Sequence, residues 1–85
     1  MTTYRVVLAQ GPRGNWRLFV ALPGRVANWP TEEFAGAAIP SVSARAAALE
    51  RLGYRLPDGS SWDWDEDADD AGGVVLLAGA QVRPA

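Results

Sequence analysis

The chain has 85 residues, 48% of them hydrophobic, with no cysteine, no histidine and a formal charge of −2. That length makes one small domain over residues 1–85, which buries only about 60% of the surface its unfolded chain exposes. It has no disulfide or thiolate zinc site to support it, and it lacks the best side-chain nucleophile and the commonest general base.

Packing must therefore hold the fold, and four tryptophans, two tyrosines and two phenylalanines are the means available. No apolar run approaches the roughly 20 residues of a membrane span. The N-terminus lacks a basic stretch followed by an apolar one, so no signal peptide is expected. A cytoplasmic protein without membrane contact follows.

The charge is lopsided. Residues 1–57 carry seven arginines against three glutamates, a net of +4, while residues 58–85 carry seven acids against Arg83, a net of −6. Every cation is an arginine. GC-rich coding accounts for this as readily as a need for planar, forked guanidinium groups does.

In chain order, residues 3–10 are β-branched enough for a strand, with Tyr4, Val6 and Leu8 on one side and Arg5, Val7 and Ala9 on the other. Gly11-Pro12-Arg13-Gly14-Asn15 has the length and composition of a hairpin turn. Residues 16–22 return as a strand, with Trp16, Leu18, Val20 and Leu22 in phase and Arg17, Phe19 and Ala21 opposite. Pro23-Gly24 ends it, and residues 25–30 read as irregular. Residues 31–39 support two readings, a short helical turn capped by Thr31 or a weak strand over 33–39, and Gly36 counts against both.

Residues 40–53 have the start, period and stop of a helix. Ser41 or Ser43 can cap it, alanine and leucine fill it, and Gly53 ends it. Its pattern puts Val42, Ala46, Leu49 and Leu52 on the core face, with Arg45 falling between Leu49 and Leu52. Three turns do not hold alone in water, so that face packs on the sheet. Residues 54–56 read as extended, and 57–61 as a turn. Trp62-Asp63-Trp64-Asp65 alternates with period two. Glu66 to Gly73 reads as a solvated acidic loop, and 74–82 as a central strand with a bulge at Gly79.

Three groups of residues are candidates for a partner-binding surface. The acids Asp65, Glu66, Asp67, Asp69 and Asp70 offer a docking surface for a basic protein. Beginning at Asp63 they resemble half of a calcium loop. Ala68 and Val74, however, occupy the places that need glycine and glutamate, so neither a metal nor a cofactor is expected. Trp62 and Trp64 either cover the helix or form an exposed stacking platform, while Trp16 and Trp29 are expected in the core. Arg45 either snorkels to solvent or reaches an indole face or the acidic strand.

Trp16-Arg17-Leu18-Phe19-Val20 with Trp29-Pro30, the helix ending Gly53-Tyr54, and Trp62-Asp63-Trp64 together resemble an uncharacterised family of small actinobacterial proteins, mostly from streptomycetes. That resemblance implies no activity and transfers no site residue. More loosely, a hairpin, Leu22-Pro23-Gly24, a seryl-capped helix and a further strand are similar to HicB-type antitoxins.

The fold expected is α+β, an antiparallel sheet of about four strands in the order β-β-α-β-β with one helix on one face. The side of the hairpin bearing Arg5, Val7, Arg17 and Phe19 is then uncovered, and self-association is expected through it or through a strand edge. The function expected is a non-catalytic, regulatory protein-interaction module that binds a basic partner. The alternative is a nucleic-acid-binding or antitoxin-like protein using the arginine-rich N-terminal hairpin, which the net charge and absence of lysine disfavour.

Overall fold

The computed structural model describes residues 2–11, 13–68 and 70–85. Strands β1 (Tyr4–Gln10) and β2 (Trp16–Ala21) form the expected hairpin, with Val6 opposite Val20 and Leu8 opposite Leu18. Gly14, at φ 84°, turns the chain, and its N–H donates to the Gly11 carbonyl at 2.9 Å. Pro12 lies outside the described residues. The register puts Val6, Leu8, Trp16, Leu18 and Val20 on one face, each at most 1% exposed.

After a single 3-10 turn over Val26–Asn28, strand β3 (Thr31–Glu33) pairs with the outer edge of β2. Neither reading of residues 31–39 placed it there. Val20 N–H donates to Pro30 O and Phe34 N–H to Trp16 O, so β2 captures the segment at both ends. The Thr31 hydroxyl donates back to the Trp29 carbonyl at 3.1 Å instead of capping a helix. Gly36, at φ 80°, then bends the chain away from the sheet.

Helix α1 (Val42–Leu52) has Ser41 as its N-cap, the hydroxyl accepting from Ala44 N–H at 3.1 Å. Gly53, at φ 91°, closes it in the left-handed region, its N–H returning to the Glu50 carbonyl. The buried stripe is Arg45, Ala48 and Leu49, with Leu52 half-buried, an i, i+3, i+4, i+7 pattern. This corrects the expected face: Val42 is 61% exposed and Ala46 is also exposed. Arg45, expected on this face between Leu49 and Leu52, is buried there while Val42 is not, because its stem can be buried like any aliphatic chain. Arg51 fixes the far side of the helix to β3, its Nε and Nη2 both donating to Glu32 Oε1 at 2.9 and 2.6 Å.

Strands β4 (Tyr54–Arg55), β5 (Asp63–Ala68) and β6 (Val74–Pro84) complete a curled antiparallel sheet. The order is β3-β2-β1-β6, with both β4 and β5 along the outer edge of β6. Among the described residues the count is six strands rather than about four, because β3 adds to the edge of β2 and the 11-residue β6 accommodates two short partners end to end.

Two expectations about this region are corrected. The acidic segment is not a loop from Glu66 onward: Glu66, Asp67 and Ala68 pair with Leu76, Val75 and Val74. An edge strand leaves its side chains in water, so carboxylates do not prevent the backbone ladder from forming. Gly79 is not a bulge, since it sits in unbroken register with Val7 on one side and Asp63 on the other. Its missing side chain makes room for the Arg5 guanidinium, which lies where a Cβ would be. The molecule is thus a mixed, mostly β, single-helix domain.

Ser41→Ala should cost about 1 kcal/mol in urea denaturation, while Ser43→Ala should change little, because only Ser41 caps the helix.

Candidate functional site

Among the described residues Arg45 is the buried charged one, 7% exposed. It sits one turn into α1, and its side chain reaches Trp62 and Trp64 at the start of β5. Its Nε donates to the Pro40 carbonyl at 3.0 Å, which fixes the guanidinium plane. The cation lies 5.1 Å from the Trp62 ring centroid and 5.8 Å from that of Trp64. Two residues apart on an extended chain, the indoles reach the same side of the sheet. Trp64 in turn meets Trp16 edge to face at 6.0 Å, and Trp16 Nε1 donates to the Ala37 carbonyl at 3.1 Å. One connected group therefore ties together β2, β5, the segment before the helix and the helix itself.

The electrostatics of this group are unusual. Among the described residues no carboxylate forms an ion pair with Arg45, so the indole faces and one carbonyl compensate its burial. Burial lowers the guanidinium pKa below its ordinary value. Desolvation also strengthens attraction to the ring quadrupoles, to about 2 kcal/mol. Trp62 is half-buried and Trp64 is 46% exposed, so Trp64 is both a support for Arg45 and a surface group. Trp62 Nε1 has no hydrogen-bond partner among the described residues, so this indole is held through its ring.

The acids stand beside this cluster. All six residues of β5 are exposed. The register turns Asp63, Asp65 and Asp67 toward the side of the sheet away from the helix, and Trp64 and Glu66 toward the helix side. Asp65 Oδ1 accepts from Glu66 N–H and Asp67 Oδ1 from Ala68 N–H, both at 2.8 Å. Among the described residues no three potential metal ligands converge, which alternation along a strand explains. Asp70 is exposed in the following turn, and Asp69 lies outside the described residues.

A second aromatic group was missed in the sequence. Trp29, expected in the core, instead stacks on Phe19 at 5.8 Å and 18°, on the sheet face opposite the helix. Its Nε1 donates to the Leu22 carbonyl at 2.7 Å. With Arg17, Val26 and Thr31 these rings line a shallow hollow of about 120 Å³. The available signal was Phe19, which is out of phase with Leu18 and Val20 and needs a partner on its own side.

Two arginines of the N-terminal half, Arg5 and Arg17, stand well apart. Arg5 and Arg17 share the uncovered face, but they pair with Ala21 and Ala9 at opposite ends of the hairpin, roughly 13 Å apart along β1. The three β5 aspartates occupy the same face.

These features define a small α+β domain, with one α-helix among the described residues, whose lateral edge is acidic and whose second sheet face bears Trp29 against Phe19 but no α-helix. The chain belongs to a family of unknown function, DUF6303, whose model matches residues 2–85. Neither a curated protein nor a solved structure matches it. Among the described residues no helix is long and apolar enough to cross a membrane.

Arg45→Ala should destabilise the domain by about 3 kcal/mol in chemical denaturation, through lost packing and lost cation–π contact. Arg45→Lys should recover less than half of that, because an ammonium keeps the charge but not the plane or the Nε donor.

Proposed function

We propose that this protein is a non-catalytic interaction module that binds a basic protein partner along β5 and the turn after it. The supporting observation is that β5 is an exposed edge strand whose Asp63, Asp65, Glu66 and Asp67 form no ion pair among the described residues. Like charges one and two residues apart repel, and nothing in the packing offsets that repulsion. Such a row steers and accelerates association with a basic surface. The exposed side of Trp64 supplies an apolar anchor within the same strand.

The edge is also built against indiscriminate strand pairing. The Asp65 and Asp67 carboxylates occupy the N–H groups of Glu66 and Ala68, and negative charge repels a second acidic edge. Side-chain recognition by arginine or lysine is therefore favoured over strand addition. The composition, without histidine or cysteine, supports binding in preference to catalysis.

Replacing Asp65, Glu66, Asp67 and Asp70 with Asn or Gln should leave the melting temperature unchanged or slightly higher. Asn can still accept the two local N–H bonds. Affinity capture from extract of the native host should retain basic proteins on the wild-type domain and lose them on this variant. Their association should slow and its salt dependence shrink. A variant that melts far earlier, or captures the same proteins, would contradict the proposal.

A further inference from the structure

Phe19 and Trp29 are half-buried, yet neither packs against the buried core. With Arg17, Val26 and Thr31 they line the hollow of about 120 Å³ at the β2–β3 side of the sheet. Its walls are fixed in advance. The Trp29 indole is tied to the Leu22 carbonyl at 2.7 Å and stacked on Phe19, and the Thr31 hydroxyl donates to the Trp29 carbonyl at 3.1 Å. Val26, 67% exposed, keeps an apolar wall open to solvent. The Arg17 guanidinium lies 6.0 Å from the Phe19 ring centroid and makes no hydrogen bond or ion pair among the described residues. Glu33 stands opposite Arg17 in the β2–β3 register but does not pair with it. Arg25 precedes Val26, and the Arg5 guanidinium lies over Gly79, two strand spacings or about 10 Å from Phe19 in the same row. No carboxylate lines the hollow.

We propose that this hollow binds a small monocyclic aromatic carboxylate, its ring against Phe19, Trp29 and Val26 and its carboxylate on the Arg17 guanidinium. Size selects one ring. Drug-sized ligands occupy clefts of about 300–1,000 Å³, whereas a dry cavity of about 150 Å³ takes a single benzene. A hollow of about 120 Å³ with an open side holds one such ring and leaves its substituent outside. Charge selects the substituent. Aromatic walls alone would also attract an ammonium ion, but Arg17 already lies over Phe19 and repels it. The Thr31 hydroxyl and the Trp29 indole N–H are both committed to carbonyls, so Arg17 is the lining side chain with donors free. A carboxylate matches those forked donors and stays partly in water, which keeps its desolvation cost small. The site is independent of the β5 edge, which lies three strands away and shares no residue with it.

Titration of the whole chain with sodium phenylacetate at constant ionic strength, followed by NMR of the indole N–H signals, tests the proposal. The Trp29 signal, assigned by its loss in Trp29→Phe, should shift and saturate at millimolar concentration or below. Phenylacetamide keeps the ring and loses the charge, so it should bind at least about tenfold more weakly. Acetate, which lacks the ring, should leave the Trp29 signal in place. Arg17→Gln and Val26→Asp should each weaken phenylacetate binding at least about tenfold. Both replace exposed side chains, so their thermal melts should match the wild type. A Trp29 signal that does not shift saturably would overturn the proposal. So would equal affinity for phenylacetamide, or undiminished binding by Arg17→Gln. A peptide ending in a free-carboxylate phenylalanine that binds markedly tighter than phenylacetate would overturn the free acid as occupant, in favour of a protein C-terminus.

Discussion

A guanidinium group held between two indoles is the contact on which the layout of this domain depends. One three-turn helix cannot cover a curled six-stranded sheet, and its apolar stripe is short: Ala48 and Leu49 are buried, and Leu52 is half-buried. Arg45 extends that stripe toward β5, where Trp62 and Trp64 receive it and Trp16 supports Trp64 from below. Replacing that group with a smaller apolar residue would leave the start of β5 without a partner above the sheet. Burying a charge without a carboxylate is costly, and here aromatic faces and the Pro40 carbonyl offset the cost. At the opposite end of the sheet Tyr4 and Tyr54 close the layer edge to face at 5.9 Å.

Covering one face this way leaves the other uncovered, and the charge pattern reflects it. β6 is the central strand, bonded to β1 on one edge and to β5 and β4 on the other. On the side without a helix, Val75, Leu77 and Gly79 of β6 and Val7 and Ala9 of β1 form an apolar strip that the Arg5 guanidinium crosses at Gly79, flanked by Arg17 and by the β5 aspartates. The acids thus face two ways. Asp65 belongs to the uncovered face, Glu66 to the helix side, and the strand as a whole to the lateral edge.

The hairpin, the helix with its serine cap and glycine stop, and the strand from Val74 onward were legible in the sequence, because local periodicity and backbone chemistry decide them. What was not legible depended on pairing at a distance. β3 exists because β2 offers free edge groups at Val20 and Trp16, which no pattern within residues 31–33 reveals. The acidic stretch is a strand because Val74 to Gly79 needs a partner, a demand made by β6 and not by the acids themselves. Gly79 read as a bulge, while its real use is to admit Arg5 from the neighbouring strand. Of the candidate site, the shared side of Trp62 and Trp64 and the exposure of Asp65, Glu66, Asp67 and Asp70 were readable. The place of Arg45 between the indoles was one of two readings, and snorkelling to solvent was the other.

The environment of Arg45 can be observed directly by NMR of the native domain. A guanidinium lying over two indole faces, with its Nε–H bonded to Pro40, should show its δ and ε protons shifted upfield by ring currents. That Nε–H should also exchange slowly with water, unlike those of exposed arginines such as Arg13 and Arg25. An Arg45 side chain with ordinary shifts and fast exchange would contradict the account, because the helix would then reach β5 by some other contact.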